Sequence, residues 1–214
     1  MGLNETSYNI KCNYLLNENG NCLSVTKELV NKEGKSALVI MFSSAVKNTK
    51  ITDNTSHLLW NNMLHLGYTK VTTWNLFPDY KNRTEELQKA NLSVLKKLLK
   101  NKDSYTSVIV AWGSCKEYAK AVINEKKAVY KVLESVKDKL FQIADSEHRY
   151  SGNALHPLYC GNYFGFQWEL EPHKIVVLKT EDKKIESTNK GTPTEDGFSK
   201  FKKQLQGNAS TTDN

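Results

Sequence analysis

His156-Pro157 is the sharpest local feature of the sequence. The proline stiffens the chain there, and an imidazole so held can donate to negative charge developing on a leaving group. Asn75 lies near the end of the run Lys70-Val71-Thr72-Thr73-Trp74-Asn75-Leu76-Phe77. Its amide offers both a donor and an acceptor, the combination that reads the Watson–Crick edge of a base, and Phe77 has a face on which a base can stack. Asp53 stands before a helical stretch, where a carboxylate orients a water, binds a sugar hydroxyl or answers a helix dipole. Ser43-Ser44 directly follow an apolar run. Their hydroxyls and backbone N–H groups either face a ligand or bond to their own turn. Trp112-Gly113 close another such run; the glycine permits a tight turn or close backbone approach, and the tryptophan suits either a core or a stacking surface. No phosphate-binding glycine loop, zinc motif or nucleophile elbow is present, so no cofactor and no metal is expected.

These residues need elements to position them. Ser36-Ala37-Leu38-Val39-Ile40-Met41-Phe42 and Ser107-Val108-Ile109-Val110-Ala111-Trp112 read as strands buried on both faces. Lys70 to Phe77 is a third strand, stopped by Pro78-Asp79. Tyr8 to Leu16 reads as a strand or two with a turn at Asn17-Glu18-Asn19-Gly20. Between the strands, Leu58, Leu59, Met63 and Leu66 form the stripe of a helix that Thr55 or Ser56 can cap and Gly67 can stop. A second helix runs from about Thr84 to Lys100. A third stretch, Lys116 to Leu140, is one helix or two with a break near Asn124. Phe141 to Ala144 and Ile175 to Leu178 are further strand candidates, and Gly152 to Tyr159 reads as a loop.

Strand and helix alternate, which is the pattern of an α/β three-layer sandwich with a mainly parallel central sheet. Ligands of such sheets lie beyond the carboxyl ends of the strands, so Ser43, Ser44, Asn75, Phe77, Trp112, Gly113 and His156 are expected on one rim. A single domain is expected over residues 1–180. From about Glu181 the composition turns to Lys, Thr, Glu, Gly and Asn, the mark of a flexible tail over 181–214.

The net charge of +7 favours a polyanionic partner, and nucleic acid, DNA above all, is the expected one. Cys12, Cys22, Cys115 and Cys160 form no C-x-x-C pair, as suits a reducing compartment and a cytoplasmic protein. No apolar run approaches the ~20 residues of a membrane span.

The series Ser43-Ser44-Ala45, Asp53-Asn54-Thr55, Gly67-Tyr68, Asn75-Leu76-Phe77, Ala111-Trp112-Gly113 and His156-Pro157-Leu158-Tyr159 resembles a bacterial and phage family labelled domain of unknown function 1643, over roughly Asn13 to Tyr159. That pattern is in turn similar to the uracil-DNA glycosylase superfamily. The resemblance implies a glycosylase-like fold, Asn75 as reader of the base, and His156 as stabiliser of the departing base anion. It also implies an aromatic under the flipped base, for which Phe42 competes with Phe77, and a setting in defence against phage with modified DNA. The family's first loop usually reads Asn-Pro-Ser-Thr-Ala, whereas this chain has Met41-Phe42-Ser43-Ser44-Ala45. A thioether cannot activate water, so catalysis falls to Ser43, Ser44 or Asp53, or is absent. A DNA glycosylase-like enzyme, a non-catalytic binding module and an enzyme of free nucleotides are the three expectations that follow.

Overall fold

The chain begins its regular structure with a hairpin whose turn is written in side chains. Asn17 Oδ1 accepts from the backbone N–H groups of Asn19 (3.1 Å) and Asn21 (2.8 Å), and Gly20 takes φ +74°. Asparagine is suited to this because its short carbonyl reaches the amides two and four residues on. The hairpin joins β1 (Ile10–Leu16) to β2 (Cys22–Leu29). The computed structural model describes residues 8–43, 53–113, 119–150 and 152–175. Ser44, Cys115, the strand candidate beyond Ile175 and the expected tail lie outside the described residues.

Among the described residues, five further strands and four α-helices follow: β3 (Lys35–Ser43), α1 (Asn54–His65), β4 (Tyr68–Phe77), α2 (Glu85–Leu98), β5 (Ser107–Val110), α3 (Lys120–Leu133), β6 (Leu140–Asp145), α4 (Pro157–Phe164) and β7 (Trp168–Pro172). The sheet order is β1-β2-β4-β3-β5-β6-β7. The four inner strands, β4, β3, β5 and β6, run parallel. The pairings β1–β2, β2–β4 and β6–β7 are antiparallel and hold slightly more of the paired residues. The expectation of a mainly parallel sheet is therefore corrected. Helical crossovers make the centre parallel, while at the margins a tight hairpin and the short return from α4 reverse the chain.

Three other boundaries differ from the sequence reading. The N-cap of α1 is Asp53, not Thr55 or Ser56, because its carboxylate accepts from the Ser56 N–H at 2.8 Å. The third helical stretch does not break at Asn124; α3 continues to Leu133 and passes into a tighter 3-10 segment, Glu134–Lys139, with Val136 out of helical geometry. The segment from Gly152 to Tyr159 is not all loop, since Pro157 opens α4 with His156 as its N-cap. Proline is favoured at that first position because the missing N–H has no helical partner to lose.

Alternation along β3 explains the layers. Leu38 and Ile40 face one core with Trp74, Leu76, Val108 and Val110, covered by α2 and α3 through Leu87, Leu95, Val122, Val129 and Leu133. Ala37, Val39 and Met41 face the other, with Ile109, Ala111 and Ile143, covered by α1 and α4 through Leu59, Met63, Cys160 and Phe164. Successive side chains of a strand point to opposite faces, so a continuous apolar run serves both cores. Each fully buried Leu or Ile contributes about 1.5–3 kcal/mol relative to exposure. No helix among the described residues is long and apolar enough to cross a membrane.

From β3 the chain crosses by α1 to β4 on one side; from β4 it crosses back by α2, over the opposite face, to β5 on the other side. The helices that follow the neighbouring strands β3 and β5, α1 and α3, therefore cover opposite faces. Such a reversal opens a crevice beyond the carboxyl ends of the two strands.

Candidate functional site

Register places the first candidates. Met41 pairs with Asn75 and Ser43 with Phe77, so the ends of β3 and β4 are level. Parallel partners in register share a face, and Met41 belongs to the α1–α4 core, so the Asn75 side chain stands on that face too. Its neighbours Trp74 and Leu76 point the other way, into the α2–α3 core. From that side Asn91 of α2, fully buried, fixes the strand end: its Nδ2 donates to the carbonyl of Asn75 (2.9 Å) and more weakly to that of Leu76 (3.4 Å). Asn75 is 7% exposed, and its Oδ1 is buried with no hydrogen-bond partner among the described residues. A buried acceptor left unpaired costs about 1–3 kcal/mol.

His156 reaches the same rim from a distant part of the chain. Gly113, three residues past β5, takes φ +70°, and a Cβ built there would lie 3.1 Å from the Cβ of His156. The Gly113 N–H donates to the carbonyl of Ala154 at 2.7 Å. The His156 ring caps α4, its Nδ1 accepting from the Leu158 N–H at 3.3 Å. That bond leaves the proton of the neutral ring on Nε2, free to donate. Burial lowers the pKa of His156 and the Asp53 carboxylate acts in the opposite sense, which brings the caps of α1 and α4 into one electrostatic neighbourhood. The two helices also pack together: a Cβ added to Gly161 would meet the Leu58 side chain at 2.6 Å. Asp53 is committed to its cap through Oδ1 to Ser56 N–H and Oδ2 to the Ser56 hydroxyl at 3.1 Å, and each oxygen keeps a further lone pair.

Gly113 carries a prediction. An alanine there must hold a left-handed φ and press on His156, which costs about 1–2 kcal/mol for the backbone alone. Urea unfolding of Gly113→Ala is expected to show that loss, and the imidazole resonances of His156 to shift. An unshifted imidazole would mean that the glycine does not position the ring.

The aromatic candidates separate. Phe42 and Phe77 pack on the α2–α3 side in a trio with Tyr80, with centroids 5.2–5.4 Å apart. Phe77 is 1% exposed and has no free face for a base; Phe42 is half-buried. Trp112 is buried beneath α3 against Tyr130, with the Lys126 Nζ 5.1 Å from its ring centre. Met41 lies inside the apolar cluster, and Ser43 is half-buried at the strand end. Ser44 lies outside the described residues. The Asn75 amide thus stands on the α1–α4 face at the strand end, and Gly113, His156 and Asp53 lie together at the caps of α1 and α4, while Phe42, Phe77 and Trp112 pack on the opposite face.

Sequence reading passed over the support beneath His156. Gln142 of β6 accepts through Oε1 from the Ala154 N–H (3.1 Å) and from His173 Nδ1–H (2.7 Å). Its Nε2 donates to Glu171 Oε1 (2.6 Å) and to the Gly152 carbonyl (3.4 Å). The Tyr130 hydroxyl donates to His173 Nε2 at 3.0 Å. Burial pushes His173 down to about 4, so it is neutral and its two nitrogens keep these opposite roles. Ala154 takes φ +53°, a conformation alanine rarely adopts, and the bonds on both sides of it hold the turn in place. Only a polar residue alternating with apolar ones in β6 hinted at Gln142. Cys160, buried in the α1–α4 core, is pushed up to about 12 by that burial and remains a thiol at neutral pH.

Residues 23–158 match the model of a family described as Protein of unknown function (DUF1643). No curated protein and no solved structure matches the chain.

Proposed function

We propose, for a chain that belongs to the family described as Protein of unknown function (DUF1643), a DNA glycosylase-like function: it takes a nucleobase, modified or not, into the crevice and hydrolyses its N-glycosidic bond. The observation that carries this reading is Asn75 Oδ1. Of the buried side-chain atoms without a partner among the described residues, it is the one at the carboxyl end of a parallel strand. An acceptor kept unpaired at such a place suits an incoming N–H donor, and the edge of a base supplies one beside an acceptor for the amide nitrogen. A base reaches such a pocket only when it is turned out of the stack.

The remaining groups fit the bond-breaking step. Water adds to the anomeric carbon as the glycosidic bond breaks, and the base leaves with the bonding electrons. His156, neutral, donates from Nε2 to the oxygen or nitrogen on which that charge collects. Asp53 receives the proton of the water or steadies the cationic sugar. Neither candidate aromatic lies beside the Asn75 amide: Phe77 is covered, and Phe42 packs with it on the α2–α3 side. The glycosylase-like architecture named by the sequence resemblance is part of this same proposal. Met41 favours a second reading, a binding module without hydrolysis, because its buried thioether stands where an asparagine holds the water in the family's usual pattern.

One assay separates the two. The protein is incubated with duplex and single-stranded DNA carrying a panel of natural and modified bases, and abasic sites are revealed by alkali. Strand scission at one base class is expected, and His156→Ala is expected to slow it by about 10²–10⁴-fold. Tight binding without scission on every substrate would establish the binding module instead.

A further inference from the structure

We propose that the groove between α2 and α3 is a docking track for the sugar–phosphate backbone of DNA, remote from the base crevice; this rests on the nucleic-acid reading above. The groove has a volume of about 590 Å³. Leu92, Ala128 and Val132 form its floor, and Lys96 from α2 and Lys127 and Lys131 from α3 stand around it. No carboxylate among the described residues lines it. Lys127 and Lys131 are four residues apart and so share one helix face, a like-charge spacing that destabilises an isolated helix.

Some of the other described lysines are ion-paired and others, Lys97 and Lys100 among them, are not; what sets the groove's three apart is that they line one cavity together. Lys89 pairs with Glu85 at 2.6 Å, Lys139 with Asp103 at 3.2 Å and Lys70 with Glu28 at 3.6 Å. Lys96, Lys127 and Lys131 have no ion pair among the described residues. Glu125, the acid beside Asn124, does not line the groove; burial raises its pKa and Gln88 hydrogen-bonds it. Three ammonium groups around an aliphatic floor, with no aromatic to stack on, match a charged backbone read without regard to sequence. α2 and α3 cover the sheet face opposite that of Asn75 and Met41, so the track holds flanking nucleic acid and leaves the crevice to the base.

The test is the salt dependence of binding to a fluorescent duplex. The triple variant Lys96→Ala, Lys127→Ala, Lys131→Ala is compared with Lys70→Ala, Lys89→Ala, Lys139→Ala, which removes the same charge from paired sites. Removing one cation that neutralises a phosphate lowers the slope of log K against log salt by about 0.9. The groove variant is expected to lose about 2–3 in slope and at least about tenfold in affinity near 0.1 M salt, with the control near wild type. Replacing the three by arginine is expected to restore both. An unchanged slope in the groove variant, with wild type still binding in a salt-dependent way, overturns the track and leaves the base-reading proposal standing. Absence of salt-dependent DNA binding by wild type overturns both. Displacement of the duplex by polyglutamate at matched charge, with no loss in the groove variant's DNA slope, assigns the groove to an acidic protein and overturns the track alone.

Discussion

Replacing Asn75 by alanine is expected to erase the protein's preference for a base-bearing oligonucleotide over its abasic counterpart while leaving the fold intact. A well-placed amide contributes about 1–3 kcal/mol of discrimination, a factor of roughly 5–150 in relative affinity. The stability side of the same site is the sharper check. The Oδ1 of Asn75 is already buried and unpartnered, so removing it takes away a cost of about 1–3 kcal/mol and no hydrogen bond of that atom. Asn75→Leu is therefore expected to unfold at higher urea than wild type although the base preference is lost. This opposition of stability and function is what a group kept for a ligand produces. A less stable Asn75→Leu with unaltered selectivity would show that the amide serves the fold. Asn75→Asp keeps the size but exchanges the donor for an acceptor, and is expected to weaken binding of any base that offers an acceptor to that position.

Stability should fall by about 3 kcal/mol between pH 6.5 and pH 4 through His173 alone. Its pKa in the fold is depressed to about 4 by burial, against about 6.5 in an unfolded chain. Between those values the unfolded chain binds the extra proton and the native chain does not, so stability rises with pH. The contribution is complete above about 6.5 and is lost as pH falls toward 4; about 2.5 pH units correspond to roughly 3 kcal/mol. Protonation also removes the acceptor that Nε2 presents to the Tyr130 hydroxyl. His156, lowered by burial, acts in the same direction. Asp145 acts at more acid pH: burial raises it, but Arg149 and two backbone N–H groups outweigh that and leave it lowered. Urea midpoints of wild type and His173→Gln at about pH 7 and about pH 4.5 separate these contributions. The variant is expected to lose most of the pH dependence in that window, and an undiminished difference between the two pH values would assign the acid loss to other groups. Because Gln142 joins His173 to the Ala154 turn, the imidazole signals of His156 should move in the same pH range.

The inner elements were legible before any fold was known. β3 and β5 stood out because an unbroken apolar run fits a strand covered on both faces, and β4 because its β-branched residues stop at Pro78. Helix α2 was readable from its spacing and from Thr84, whose hydroxyl takes the Leu87 N–H at 3.2 Å. These are local patterns with a local cause. Of the antiparallel margins, β1 and its Asn17–Gly20 turn were legible, but β2 and β7 were not; β7 alternates weakly and its direction is set by its partner β6. Nor was α4: eight residues with few charges carry little periodicity, and what holds them is packing on α1.

The site shows the same division. The types of residue that carry its chemistry were readable one by one, at the ends of apolar runs. Which of them meet depended on the packing of distant segments. Alternation put Asn75 on one face while Trp112 entered the opposite core, as did Phe77 where β4 ends. Asp53 and His156, far apart in sequence, became neighbours only because α1 and α4 pack side by side. Gln142 and His173 found each other across the β6–β7 pairing, 31 residues apart in the chain. Propensity and periodicity act over a few residues, whereas a hydrogen bond between strands depends on where the whole sheet places them.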